Sequence, residues 1–261
     1  MRRILAALAA IALLATTAAC GSDDDADAGT GSSAAGDTTT LTVFAAASLT
    51  STFTELGAQF EEAHDGVKVS FNFGGSSGLV TQLQEGAQAD VFASADQSNM
   101  DKAIADDLVA GAPVFFASNT LQIVVPAGNP AGVRNLGDLA DPDVKTVVCA
   151  PEVPCGAAAV AVEKASGVDV QAVSEEQSVT DVLNKVVTGE ADAGLVYVTD
   201  VIAAGDKVEG IHFPESDSVV NSYPIAPLAG SDHAKLAGQF VDFVLGETGQ
   251  QVLTDAGFGR P

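Results

Sequence analysis

From position 41 the chain settles into short blocks whose apolar positions alternate between two periods. Leu41-Thr-Val-Phe-Ala-Ala is a short apolar run and predicts a strand. Ser48 to His64 carries Leu49, Phe53, Leu56 and Phe60, spaced as one face of a helix. Val67 to Phe73 alternates, with Val67, Val69, Phe71 and Phe73 on one side, and predicts a second strand. Gly74-Gly75-Ser76-Ser77-Gly78 is a turn, and Leu79 to Glu85 a helix. Asp90 to Ala93 predicts a short strand and Asn99 to Asp107 a helix. The rhythm continues with strands expected at Leu121–Pro126, Thr146–Cys149, Gly194–Val198 and Gly210–Phe213. Helices are expected at Gly156–Ala165, Val179–Val187, His233–Leu245 and Thr248–Ala256. Strands that alternate with helices point to an α/β fold with mainly parallel sheets.

The first forty residues follow neither period. Met1-Arg2-Arg3 is basic, and Ile4 to Ala15 is apolar but too short to span a bilayer. Small residues follow, then Cys20-Gly21-Ser22. A leader ending in Ala-Ala-Cys resembles a bacterial lipoprotein signal, which implies cleavage after residue 19 and a lipid on Cys20. The alternative is an ordinary secretory signal that leaves Cys20 free. Residues 21–40 hold five Asp and no large apolar side chain. Too little surface can be buried there to offset ordering entropy, so residues 20–40 are expected to be a lipidated Cys and a flexible acidic linker.

Removing the leader leaves about 240 residues, enough for one large domain or two lobes of about 100 each. Apolar residues make up 47%, so a substantial core is possible. The charge is one-sided, with 35 Asp+Glu against 11 Lys+Arg, and such a chain is a poor partner for nucleic acid. No second apolar stretch is long enough for a transmembrane helix. There is no Trp and there are two Tyr, which argues against an aromatic stacking platform. Cys149 and Cys155 fit no CxxC motif; in an exported chain a local disulfide is favoured over two separate buried thiols.

Gly74 to Gly78 also satisfies G-x-S-x-G between a strand and a helix, the setting of a nucleophilic serine. Ser76 would then be a hydrolase nucleophile. It comes early in the fold, however, with no His-Gly-Gly motif before it, and His212 and His233 lack a general-base setting. The same turn can instead bind an oxyanion, because free N–H groups, a Ser hydroxyl and a helix dipole converge there. Phe44-Ala-Ala-Ala-Ser48-Leu49 is a second such turn, although Ser48 as an ordinary N-cap needs no further explanation. Two turns of this kind suggest a site at the carboxyl edge of one sheet. His64, His212 and His233 are scattered, with no metal motif and no P-loop.

Thr42-Val-Phe-Ala-Ala-Ala-Ser-Leu-Thr50 and Ala89-Asp-Val-Phe-Ala-Ser-Ala-Asp-Gln97 together resemble the periplasmic molybdate-binding proteins of ABC transporters. Pro151-Glu-Val-Pro-Cys-Gly156, Gly194-Leu-Val-Tyr-Val-Thr-Asp200 and Asp255-Ala-Gly-Phe258 match further blocks in order. The resemblance covers residues 41–261. It implies a two-lobed periplasmic-binding-protein-like α/β fold, each lobe a mainly parallel sheet flanked by helices, with the ligand cleft between lobes. Two hinge crossovers are expected near Ala117–Leu121 and Asn221–Pro224, giving lobe I as 41–117 with 224–261 and lobe II as 118–223. By motif, Ser48 and Ser76 would each give a hydroxyl and a backbone N–H, Cys155 and Val179 a backbone N–H, and Tyr197 its phenol. The family often has Ala where this chain has Cys155, a change that a backbone donor tolerates and that a bridge to Cys149 would make rigid. The implied function is capture of molybdate, with tungstate nearly isosteric, for a membrane permease. The expected protein is a monomer anchored outside the cell, with no cofactor and no direct metal-ion ligands. Sulfate or phosphate are the alternative ligands; a ferric-ion site would need a pair of Tyr and carboxylates.

Overall fold

A computed structural model describes residues 38–261. The leader, Cys20 and the linker up to residue 37 lie outside the described residues. The strands are β1 (Thr39–Ala46), β2 (Val67–Gly74), β3 (Val91–Ala93), β4 (Val114–Pro126), β5 (Thr146–Cys149), β6 (Ala172–Glu176), β7 (Ala193–Tyr197), β8 (Val208–Ile211) and β9 (Val220–Pro227). The α-helices are α1 (Thr50–Ala63), α2 (Ser76–Gln84), α3 (Gln97–Ala105), α4 (Pro154–Ser166), α5 (Val179–Val187), α6 (Val198–Ala204), α7 (Ala234–Leu245) and α8 (Glu247–Asp255). The apolar face expected on the first helix is real: Leu49, Phe53, Leu56 and Phe60 are all fully buried.

One sheet runs β2-β1-β3-β9-β4-β7-β5-β6, with β8 added on β4. β1 pairs in parallel with β2 and β3, and β5 with β6 and β7. The antiparallel pairs all involve β4 or β9. These two strands run side by side through the middle of the sheet. Val114 to Thr120 of β4 pair with β9, whereas Leu121 to Val124 pair with β7. The register of β4 against β9 slips between Phe115 and Ala117, next to the Phe115↔Pro224 pair. A proline has no N–H to donate, so a ladder irregularity there is expected.

Side-chain alternation explains the layers. Leu41, Val43 and Ala45 of β1 face α1, α7 and α8, while Phe44 points to the opposite face with Leu79, Val80, Leu83 and Met100 of α2 and α3. Beyond the β4–β9 pair a third apolar cluster collects β4, β5 and β7 with α4 and α5. Phe53 centres the first layer, with ring contacts to Phe71, Phe116 and Phe240.

The pattern of the sequence missed β6, α6, β9 and the first half of β4. β9 reads Val-Asn-Ser-Tyr-Pro-Ile-Ala-Pro, and its two prolines and polar start mask a strand. β6 is a largely exposed edge with two Glu. β1 begins at Thr39, two residues inside the expected linker, where the Thr39 N–H donates to Gly66 O.

Phe53→Ala is expected to lower unfolding free energy by about 3–5 kcal/mol, because a ring buried among three others leaves a cavity that cannot fully collapse. Urea unfolding followed by circular dichroism measures it; a loss below about 1 kcal/mol would mean that Phe53 does not centre that layer.

Candidate functional site

All five residues expected to hold the ligand line one small pocket. Ser48, Ser76, Cys155, Val179 and Tyr197 share it with Ala46, Ala47, Gly74, Gly75, Ala95, Val153 and Pro154. Its cavity volume is about 10 Å³, far below the roughly 300–1,000 Å³ typical of drug-sized ligands, so the site suits an ion or a very small molecule.

All five sit where a helix begins, Tyr197 as the N-cap of α6. Ser48 lies in the 3-10 turn Ala47–Leu49 that runs into α1. Ser76 is the first residue of α2, Cys155 the second of α4, and Val179 the first of α5. The first helical hydrogen bonds are Leu79 N–H to Gly75 O, Ala157 N–H to Val153 O and, in α5, Asp181 and Val182 N–H to Ser178 O. The N–H groups ahead of them have no acceptor within their own helices and carry the positive end of each dipole. Pro154 stands at the start of α4, where its missing N–H costs nothing. Tyr197 ends β7 and contributes a side chain instead. No Lys, Arg or His lines the pocket.

Neither serine is a helix cap. The N-cap of α2 is Gly75, and no side chain caps it. The Ser76 hydroxyl, fully buried, accepts from Ala95 N–H at 3.0 Å. Ser48 shares a 3.0 Å hydrogen bond with the Tyr223 hydroxyl. Asn221 Nδ2 donates to the Tyr197 hydroxyl at 3.0 Å and to Ala95 O at 3.0 Å. Opposite Asn221 in the ladder, Asn119 Nδ2 donates to Thr199 Oγ1 at 2.8 Å. Tyr223, Asn221 and Asn119 were not singled out from the sequence. The available signal was that a chain without Trp has only two Tyr, and one of them lies in the segment expected to cross between lobes.

Close backbone contacts set the rim. A Cβ on Gly75 would fall 2.1 Å from Gln177 O, in the loop before α5. A Cβ on Gly156 would fall 2.0 Å from Ala150 O. Both positions therefore require glycine. A disulfide joins Cys149 at the end of β5 to Cys155 in the first turn of α4. It closes the short loop that carries the start of α4 to the pocket.

Both phenols are neutral at pH 7, and burial moves them further from ionisation. Desolvation first, then Tyr223, Asp96 and Asp200, push Tyr197 well above the usual tyrosine value; desolvation likewise raises Tyr223. Both are hydroxyl donors at neutral pH. Asp200, in α6, accepts from Tyr197 N–H at 2.9 Å. Desolvation lifts its carboxyl to about 7, opposed by that N–H.

Ser76 has no histidine beside it. His64 stacks on Phe60, His212 pairs with Asp217 on the surface, and His233 lines a different cavity. Among the described residues no group of three or more His, Cys, Asp or Glu is placed to hold a metal ion. None of the described helices is long and apolar enough to cross a membrane.

A twisted α/β sheet crossed by two antiparallel strands, with helix starts converging on an ion-sized pocket, defines a solute-binding protein. Residues 41–259 match the family model of bacterial extracellular solute-binding proteins. The molybdate-binding protein ModA of Mycobacterium tuberculosis is 49% identical over 252 residues, 95% of each chain. The periplasmic molybdate-binding protein of Azotobacter vinelandii superposes with a TM-score of 0.73 at 24% identity, covering 85% of this chain and 99% of that one. The sulfate-binding protein SubI of M. tuberculosis gives 0.75 at 20% identity, covering 84% and 86%. The chain belongs to the bacterial extracellular solute-binding protein family, on the branch of the molybdate-binding proteins, and has the periplasmic-binding-protein-like fold.

The Asp200 carboxyl makes stability depend on pH. Its folded pKa lies above the unfolded value of 3.8, so the folded state holds the extra proton between about pH 4 and about pH 7. The stabilisation is full below that window and is lost as pH rises through it. The melting temperature without ligand is expected to fall across the window. Asp200→Asn, which keeps an acceptor for Tyr197 N–H, is expected to flatten the fall. Equal slopes for the two proteins would clear Asp200 as its cause.

Proposed function

We propose that this protein captures molybdate outside the cell and hands it to an ABC transporter permease. The observation that carries the reading is the convergence of uncharged donors: three hydroxyls and the free N–H groups of helix starts around an ion-sized pocket without a cation. An enclosed dianion needs its lone pairs satisfied, and about seven neutral donors from Ser48, Ser76, Cys155, Val179 and Tyr197 can do that. The 49% identity to a molybdate-binding protein supports the choice of anion. Tungstate, of nearly the same size, is proposed as a second ligand. No base accompanies Ser76, which favours binding over hydrolysis.

The apolar clusters, two before the β4–β9 pair and one beyond it, support a two-lobed reading: lobe I as 41–117 with 224–261, lobe II as 118–223. Ser48 and Ser76 would then grip the anion from one lobe, and Cys155, Val179 and Tyr197 from the other. The Ala-Ala-Cys leader supports a lipid on Cys20 that holds a monomer to the outer face of the cell membrane.

Calorimetry is expected to detect molybdate binding and to find sulfate at least tenfold weaker. Ser76→Ala is expected to weaken molybdate by roughly 5- to 150-fold, the equivalent of 1–3 kcal/mol for an unmatched lone pair in a closed site. It should also lower ligand-free stability, since Ala95 N–H loses its partner. Ser48→Ala is expected to weaken binding similarly. Equal affinities for molybdate and sulfate would remove the molybdate assignment, and no heat with any oxyanion would remove the binding reading.

Lipid on Cys20 predicts that Cys20→Ser, expressed in a bacterium with lipoprotein processing, moves the protein from the membrane fraction to the soluble fraction. Intact-mass analysis of the wild type should give a chain starting at Cys20 plus acyl groups. A soluble, unmodified wild type would count against the anchor.

A further inference from the structure

The hydroxyl of Tyr197 can serve an anion only if its proton faces the pocket, and one side chain outside the pocket lining bears on that. Asn221, on β9, is buried. Its Nδ2 lies 3.0 Å from Ala95 O and 3.0 Å from the Tyr197 hydroxyl. Ala95 O is a carbonyl and can only accept, so the group facing it must be the amide nitrogen and not the amide oxygen. An amide nitrogen has two hydrogens and no acceptor capacity. With one hydrogen on Ala95 O, the other goes to the phenol oxygen. Tyr197 therefore accepts from Asn221, and its own O–H is left to donate elsewhere.

The same amide reaches further. Ala95, whose carbonyl it binds, gives its N–H to the Ser76 hydroxyl, which accepts it and keeps its own proton free. A continuous path thus runs from Tyr197 through Asn221 and Ala95 to Ser76. It joins a hydroxyl from β7 to one from α2, across the strand where the two parts of the sheet meet.

We propose that Asn221 is a positioning residue that fixes the Tyr197 hydroxyl as a hydrogen-bond donor to the bound anion and ties it, through Ala95, to Ser76. The inference rests on the anion-binding reading for its effect on affinity, but the orientation of the phenol does not depend on which ligand enters.

The test is a double-mutant cycle with a ligand-free readout. Asn221→Ala, Tyr197→Phe and the double variant are titrated with sodium molybdate by calorimetry, and each is checked for a cooperative melt without ligand. Asn221→Ser, too short to span both acceptors, stands in if the alanine variant does not fold. In parallel, protein labelled with 13C at tyrosine Cζ gives two resonances, because the chain has only two Tyr. Tyr197→Phe assigns them.

Asn221→Ala is expected to weaken molybdate at least tenfold. Tyr197→Phe should cost a similar factor, and the double variant should lie within about twofold of Tyr197→Phe, because Asn221 acts through the phenol. The Tyr197 Cζ resonance should shift in ligand-free Asn221→Ala. Losses that multiply, or an Asn221→Ala affinity within twofold of wild type, would overturn the proposal. So would an unmoved Tyr197 resonance. A wild-type protein that takes up no molybdate would sink the function proposed above, and the Cζ resonance would then decide the role of Asn221 alone.

Discussion

The antiparallel pairing of β4 with β9 is the constraint on which the rest of the molecule depends. It is the one ladder, among the described strands, at which the two parts of the sheet meet. β4 spends its first seven residues against β9 and then passes to β7 and β8 without breaking. Three of the side-chain placements around the pocket are referred to this pair. Tyr223 on β9 holds Ser48, Asn221 on β9 holds Tyr197, and Asn119 on β4 holds Thr199 at the start of α6. Two buried amides facing each other across a ladder would be costly if unpaired; here each has found an acceptor, and the two parts of the sheet are registered by them.

A net charge of −24 sits uneasily with a proposed anion site, and the geometry resolves the conflict. Surface charge is screened beyond about 8–10 Å at physiological salt, whereas N–H dipoles at the pocket wall act at contact distance. The acidic surface therefore governs solubility and long-range approach, and the helix starts govern what is held. Of the two carboxylates that act on Tyr197, Asp96 and Asp200, the second is itself pushed toward its neutral form by burial. The backbone N–H groups of such a wall can only donate, and in the proposed site they favour the bare oxygens of a fully deprotonated oxyanion.

Tight backbone contacts make such a wall possible. Helix starts can converge only if nothing bulky separates them; at the start of α2 a side chain on Gly75 would collide with Gln177 O, and in α4 one on Gly156 would collide with Ala150 O. The Cys149–Cys155 bridge acts on the same loop as Gly156. It restrains the start of α4, where Val153, Pro154 and Cys155 line the pocket. A free N–H is useful as a donor only when it is held in place before the ligand arrives, because ordering it afterwards would cost binding energy.

Local sequence determined a good deal. The spacing of Leu49, Phe53, Leu56 and Phe60 placed a buried helix face, and the alternation from Val67 to Phe73 placed β2. The blocks around Ser48, Ser76, Cys155, Val179 and Tyr197 named residues that do share one pocket. These features are legible because each depends on periodicity or on a short motif, which a chain expresses within a few residues. The cysteine pair was legible for the same reason, six residues apart. Tertiary structure alone decided that Ser48 and Ser76 are not caps, since their partners, Tyr223 and Ala95, lie far along the chain or on another element. It also decided the hydrogen-bond partners of Asn221, in a polar, proline-broken segment, and of Asn119, which faces it across the ladder. The physical reason is that a hydroxyl or an amide has several equivalent uses for its lone pairs and protons. Which use it takes depends on what the fold brings within 3 Å, and no local pattern encodes that.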